Sequence, residues 1–282
     1  MNAGSWVDPP ITAVREVVAR ALAEDLEPSG DLTSSLLPTD ATETARFVAR
    51  AEGVVAGRLC ALETFAAVDP SLHVEWLLGD GAEVMPGDEV ALVSGRFASI
   101  LTAERTALNF LGHLSGIASL TNRYVRAAAG GARIWDTRKT TPGLRAVEKA
   151  AVRAGGGRNH RGNLSEWILL KDNHLAGLGI AEAIATARDR WPGRTVECEA
   201  DTVEQFEEAM TAGADLILLD NMSVDQVVTC VEKRGDARRP LLEVSGGVNL
   251  DTVAAYAQTG VDLIAVGALT HSAPVLDIGL DV

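Results

Sequence analysis

The sequence predicts an α/β protein, with a small N-terminal α+β layer followed by a parallel α/β barrel. Three observations carry that expectation. From Arg133 onward, short apolar runs alternate with helical patterns of about ten residues, the sequence form of βαβ units on a parallel sheet. The runs are continuously apolar, as in LILL at 216–219, which fits strands buried on both faces. Each run then ends in a charged or glycine-rich signal: Arg138-Lys139, Lys171-Asp172-Asn173-His174, Glu199, Asp220-Asn221, Ser245-Gly246-Gly247 and Gly267. In a barrel every strand C-terminus converges on the functional face. A doubly wound sheet uses only its switch point. Functional endings on every run therefore favour the barrel.

The elements follow in order. Residues 11–24 read as an amphipathic helix behind Pro9-Pro10. PSGDLTSSLLP, 28–38, is a loop of turn formers. Strands are expected at 44–49, 72–77 and 89–93, with a helix at 59–67 and a Pro-Gly turn in MPGDEV. Residues 97–129 have a helical pattern that should break near Gly112 and Gly116. Beyond it, strands are expected at 133–137, 167–170, 195–199, 216–219, 241–245 and 263–266. Helices are expected at 144–153, 180–190, 203–212, 224–233 and 250–258.

Composition narrows the class. The 282 residues are 47% hydrophobic and 23% charged, the balance of a soluble globular chain with a large core. With aromatics at 4%, that core must be aliphatic. The start, MNAGSWVDPP, shows no signal-peptide pattern, and no apolar run is long enough to span a bilayer. Three scattered cysteines, Cys60, Cys198 and Cys230, argue against a disulfide framework and fit a reducing, cytoplasmic setting. A net charge of -14 disfavours nonspecific nucleic-acid binding.

One block opposes that charge. From Arg133 to Lys171 there are nine Lys/Arg against three Asp/Glu, a local +6. Arg138, Lys139, His160, Arg161 and Lys171 stand at its element junctions and are expected to line a cup for a small, multiply anionic ligand. Arginine grips carboxylate or phosphate with a planar fork, and lysine acts as a point charge. Arg145, Lys149 and Arg153 share one helix stripe and read instead as a solvated face. Gly155-Gly156-Gly157 lets the backbone approach a ligand or turn sharply after a helix, against the alternative of a plain helix stop. Ser245-Gly246-Gly247 and Gly267-Ala268 suit the phosphate site of late barrel strands, against the alternative of ordinary βα turns. Glu199 and Asp220 close adjacent strands, where they would hold ribose hydroxyls or magnesium, or pair with nearby lysines. Glu197 lies one pleat deeper on the same face. Cys198 points away and reads as core.

Together these residues resemble the quinolinate phosphoribosyltransferase family. The likeness runs through EDLEPSGDLTSSLLP, ERTALNFLGHLSGIAS, DTRKTTPGLRAVEKAAV, GGGRNHR, LLKDNH, VECEA, LLDNM, EVSGGVN and VGALTHS. It implies an N-terminal α/β sandwich at 1–112, an incomplete TIM-like barrel at 113–272 and a tail at 273–282 packing back on the N-terminal domain. It further implies a homodimer with shared sites, quinolinate and phosphoribosyl pyrophosphate as substrates, Mg2+, and nicotinate mononucleotide, pyrophosphate and carbon dioxide as products. Carried over by motif, Arg105 from a partner subunit, Arg138, His160 and Arg161 would hold the quinolinate carboxylates. Lys139 and Lys171 would sit by the diphosphate and substrate. Glu199 and Asp220 would orient ribose and metal. Ser245, Gly246, Gly267 and His271 would hold the 5-phosphate.

The chain departs from that pattern at two places. Asn163-Leu164 replaces a frequent Gly-Leu pair, and Asn tolerates a left-handed backbone. Glu166 stands where Asp is usual. Two other readings compete: a pyrophosphorylase-like protein associated with molybdenum transport, which shares the fold, and a barrel that only binds phosphorylated metabolites. The full EKxAV, GGG, KDNH and SGGVN set favours the quinolinate enzyme.

Overall fold

The computed structural model describes residues 8–175 and 177–282. In chain order the elements are α1 (Ile11–Leu26), β1 (Thr42–Ala49), β2 (Gly53–Val54), α2 (Arg58–Val68), β3 (His73–Trp76), β4 (Glu83–Val84), β5 (Glu89–Arg96) and α3 (Phe97–Ala128). There follow β6 (Arg133–Trp135), α4 (Arg145–Ala154), β7 (Ile168–Leu170), α5 (Asp172–Leu175), α6 (Ile180–Arg190), β8 (Val196–Ala200), α7 (Val203–Thr211) and β9 (Leu216–Asp220). The last are α8 (Val224–Arg234), β10 (Leu241–Ser245), α9 (Val253–Ala257), β11 (Leu263–Ala265), α10 (Ala268–His271) and β12 (Ile278–Asp281). The chain divides into two units: one takes the residues up to 122 with 140–156 and 268–282, the other takes 123–139 and 157–267. No described helix is long and apolar enough to cross a membrane.

In the first unit an antiparallel sheet runs in the order β12-β1-β5-β3. Its inner face carries Ala45, Phe47 and Val93, which pack with Phe65 of α2 and Ile100 and Ala103 of α3. Phe47 meets Phe65 edge-on at 5.8 Å and stacks on Trp76 at 6.4 Å. α1 buries Val14, Val17, Val18 and Leu22, a spacing of three and four residues that forms one helical stripe. β12 was not legible in the sequence, because four residues of IGLD are too few to show a period.

Two expectations in this unit are corrected. α3 does not break at its glycines; it continues from Phe97 to Ala128. The glycines are there for close packing. A Cβ on Gly116 would lie 2.0 Å from the Pro274 carbonyl oxygen, and one on Gly112 would meet Val275 at 2.8 Å. The basic stripe of α4 is also not solvated. Lys149 is buried, Arg145 Nε donates to Thr140 Oγ1 at 3.0 Å, and Arg153 donates to the Asp8 carbonyl at 3.3 Å. Gly155 follows the helix-stop reading: it caps α4, and a Cβ on it would lie 2.3 Å from the Ala118 carbonyl oxygen.

In the second unit all six strands are parallel, in the order β6-β11-β10-β9-β8-β7. The first strand, β6, thus lies beside the last, β11, as in a barrel opened between β6 and β7. On the open edge of β6 runs the segment after the glycine triplet. Arg158 N donates to the Ile134 carbonyl at 2.8 Å, and Asp136 N donates to the Arg158 carbonyl at 3.1 Å. That segment replaces a full strand pairing, which is why the barrel is incomplete. β8 is buried along its whole length. Its Cys198 lies in the core, and burial pushes the thiol up to about 11, so it is no nucleophile at neutral pH. Helix starts are locally encoded: Thr202 accepts from Gln205 N, and Ser223 forms a capping box with Gln226.

Gly116→Ala tests the reading of α3. Alanine normally favours a helix by about 1 kcal/mol over glycine. Here overpacking against Pro274 should reverse the sign and cost about 1–3 kcal/mol, seen as a lower midpoint in urea denaturation.

Candidate active site

Period-two alternation along each parallel strand decides what faces the barrel interior. On β8 those residues include Glu197 and Glu199. In register with them, Glu199 pairs with Leu218 of β9, and Ser245 of β10 pairs with Asp220. The strand ends and the loops after them enclose a cavity of about 460 Å³, lined among others by Arg138, Lys139, His160, Arg161, Lys171 and Asp220. All five expected cations line it. A larger groove in the first unit, about 630 Å³, has Arg96 as its one cationic lining residue. Size alone would select that groove; the charge pattern selects the barrel.

The cations are held in place by buried acids. Asp136, with no solvent exposure, accepts from Asn159 Nδ2 at 2.6 Å and from His160 N at 2.9 Å. This anchors the NHR segment to the end of β6. Glu197, also fully buried, accepts from Trp167 Nε1 at 2.7 Å and lies 3.2 Å from His160 Nε2. Trp135 and Trp167 flank the imidazole, with ring centroids 5.4 Å and 4.9 Å from it. His160 and Arg161 are each only 7% exposed. Arg161 donates to the Trp167 carbonyl at 3.1 Å. Burial lowers its proton affinity, Glu197 opposes that, and Arg138 reinforces it. A guanidinium stays charged through such a shift, so Arg161 is a desolvated cation, and the anion that meets it gains more than it would in water.

The opposite wall is acidic. Lys171 pairs with Glu199, one of the two arrangements expected for that carboxylate. The ligand oxygens of Glu199, Asp201 and Asp220 lie within 4.8 Å of one another. Such an oxygen-only set suits a hard cation such as Mg2+. Asn221 has φ 53° and Gly246 φ 89°. A Cβ on Gly246 would lie 2.2 Å from Asn221 Oδ1, so the turns after β9 and β10 interlock. Ser245, Gly246 and Gly267 belong to this unit, while Arg105 and His271 belong to the first. Arg105 and His271 are exposed.

At the departures, Asn163 is not among the left-handed residues. Its Oδ1 instead accepts from Ser165 N at 2.8 Å, and Glu166 accepts from Gly162 N at 2.8 Å. The turn is held by side chains, not by a left-handed backbone. Sequence reasoning missed Asp136, Trp135, Trp167 and Glu243. Strand parity alone would have marked Glu243, two residues before Ser245.

A parallel barrel whose strand ends gather four Lys/Arg side chains and a histidine around buried acids has the layout of an α/β-barrel enzyme. Family models for the N-terminal and C-terminal domains of quinolinate phosphoribosyl transferase match residues 31–115 and 117–281. The chain belongs to that family. It is 45% identical to a nicotinate-nucleotide pyrophosphorylase (carboxylating) of Mycobacterium leprae, over 95% of this chain and 97% of that one. It is 43% identical to a probable enzyme of the same name from Bacillus subtilis, over 90% and 88%. The solved nicotinate-nucleotide pyrophosphorylase from Francisella tularensis superposes with a TM-score of 0.92 at 37% identity, covering 97% of both chains. The α/β fold with an incomplete barrel agrees with the expectation from sequence. The comparisons give no support to the molybdenum-associated alternative.

Asp136→Asn should loosen this site. It keeps the shape but leaves one acceptor for two donors, His160 N and Asn159 Nδ2, at a cost of about 1–3 kcal/mol. Calorimetric unfolding should show that loss together with weaker binding of dicarboxylate anions; unchanged stability would contradict the anchoring role.

Proposed function

We propose that this protein transfers the phosphoribosyl group of phosphoribosyl pyrophosphate to quinolinate with decarboxylation, yielding nicotinate mononucleotide, pyrophosphate and carbon dioxide. The observation that carries it is the desolvated His160–Arg161 pair, held by Asp136 and Glu197 in a cup shared with Arg138, Lys139 and Lys171. Two ring carboxylates need such a concentration of fixed cations. Arg138, His160 and Arg161 receive them, with Arg105 contributed by the second subunit of a homodimer. Ser245, Gly246 and Gly267 receive the 5-phosphate.

The chemistry asks for charges rather than nucleophiles. The pyridine nitrogen attacks the anomeric carbon as its bond to the diphosphate oxygen breaks. Positive charge develops on the ribose, and Glu199 and Asp220 face it. Lys139 and Lys171 stabilise the leaving diphosphate by preorganised charge. Glu199 and Asp220, with Asp201 beside them, would hold Mg2+, which when bound neutralises diphosphate oxygens. The pyridinium ring then accepts the electron pair released as the C2–carboxylate bond breaks. A proton replaces carbon dioxide at that carbon, and no protein Schiff base is needed.

Four outcomes test this reading. The protein should turn over quinolinate with phosphoribosyl pyrophosphate and Mg2+, and should discriminate strongly against nicotinate, which leaves the cation cluster short of one carboxylate. Equal rates on both would contradict it. Lys171→Arg should keep more activity than Lys171→Ala yet stay below wild type, because charge is retained and shape is not. Borohydride should trap no adduct. Arg105→Ala and Lys139→Ala should each be weak, and mixed heterodimers should regain activity through one intact site. Heterodimers that form without recovery would contradict the shared site.

A further inference from the structure

One group in the pocket has no role in the scheme above. Glu243 lies on β10, two residues before Ser245 and so on the same strand face. It lines the cavity, although the residue has no solvent exposure. Neither of its carboxyl oxygens has a hydrogen-bond partner among the described residues. Its register partners on the adjacent strands β9 and β11 are Leu218 and Leu263, and the charges that act on it come from further round the sheet: Glu197 on β8, Lys171 at the end of β7 and Asp136 at the end of β6. His160 Nε2 stands 3.8 Å from Glu243 Oε1 but 3.2 Å from Glu197 Oε2. The imidazole N–H therefore goes to Glu197, which also takes the Trp167 indole.

An ionised carboxylate there would be buried without a donor and close to two other acids, among the most costly arrangements in a protein interior. A bound proton removes the charge and makes Glu243 a hydrogen-bond donor. Burial first, and the charge of Glu197 second, raise its proton affinity well above the ordinary carboxylate range, against the opposing charge of Lys171. A carboxylic acid kept neutral by an apolar, acid-lined site can serve as an O–H donor to an anion.

We propose that Glu243 is a neutral carboxylic acid at the base of the pocket that donates its O–H to a carboxylate of the bound pyridine dicarboxylate, and so acts as a further specificity-determining residue. The proposal rests on quinolinate as the ligand. It explains why an acid stands in a cup lined by Lys and Arg: ionised, Glu243 would repel the ligand, whereas neutral it adds an O–H donor.

The test uses wild type, Glu243→Gln and Glu243→Leu with quinolinate alone, titrated calorimetrically from about pH 6 to about pH 9. Gln keeps a donor and cannot ionise, so its Kd should stay within about threefold of wild type at the acid end. Leu removes the donor and should weaken binding about 10- to 100-fold. Toward alkaline pH, wild-type Kd should rise beyond any change seen in Gln, because binding then requires proton uptake at Glu243.

Thermal unfolding of the same proteins without ligand gives a second readout. A carboxyl whose proton affinity is raised in the folded state costs stability as pH climbs from its unfolded pKa to its folded one. The melting temperature of Gln should therefore gain on wild type over that window. Gln binding as weakly as Leu would overturn the proposal, as would identical pH profiles for Gln and wild type. A stoichiometric metal ion that copurifies with wild type and is lost in Gln would overturn it too. A wild type that binds no quinolinate would overturn the ligand reading and with it the O–H contact, while the unfolding series would still report whether Glu243 is neutral.

Discussion

At the base of the barrel a carboxylate without solvent exposure, Glu197, must satisfy its oxygens from within the protein. It takes the Trp167 indole N–H and faces His160 Nε2. Trp167 in turn gives its carbonyl to Arg161. One buried acid thus fixes an imidazole, an indole and, through the indole's own backbone, a guanidinium. Breaking one partner of such a group leaves a buried charge exposed to nothing, which is far more costly than any surface ion pair. The geometry of the cation cup follows from that constraint, and Asp136 secures the same segment from the other side.

The incomplete barrel serves this arrangement. A seventh strand between β6 and β7 would satisfy the open edge of β6 with regular pairing. Instead the segment at Arg158 bonds β6 for one step, through Ile134 and Asp136, and then turns inward with His160 and Arg161. The glycine triplet permits it: Gly155 packs against α3, and Gly156 takes φ 89°. Fold irregularity and site chemistry therefore have one cause, the need to bring an imidazole and a guanidinium inside a parallel sheet. The opposite wall is built from regular strand ends, where register alone sets Glu199 beside Leu218 and Ser245 beside Asp220.

Much of this was legible in the sequence. Apolar runs alternating with helices predicted the parallel sheet, and charged strand endings predicted which face carries the cup. All five cations named from their junction positions do line the cavity. What was not legible depended on partners distant in sequence. Glycines inside α3 read as breaks, because the sequence does not show that Pro274 will pack against Gly116. Lys149 read as solvated, because helix periodicity gives a stripe without saying what covers it. Asp136 and Glu243 looked like ordinary strand residues, because their importance lies in burial beside other charges. Asn163 was expected to solve its turn through the backbone and solves it through its side chain.

The central claim is that buried acids position the cations at the barrel strand ends so that they receive both carboxylates of one aromatic dicarboxylate. A crystal structure of the protein soaked with quinolinate tests this most directly. The account predicts the ligand in the cavity after β6 and β7, its carboxylates within hydrogen-bond reach of Arg138, His160 and Arg161, with Asp136 and Glu197 keeping the contacts described above. Quinolinate bound elsewhere, or bound there with a carboxylate turned to solvent and away from Arg161, would contradict it.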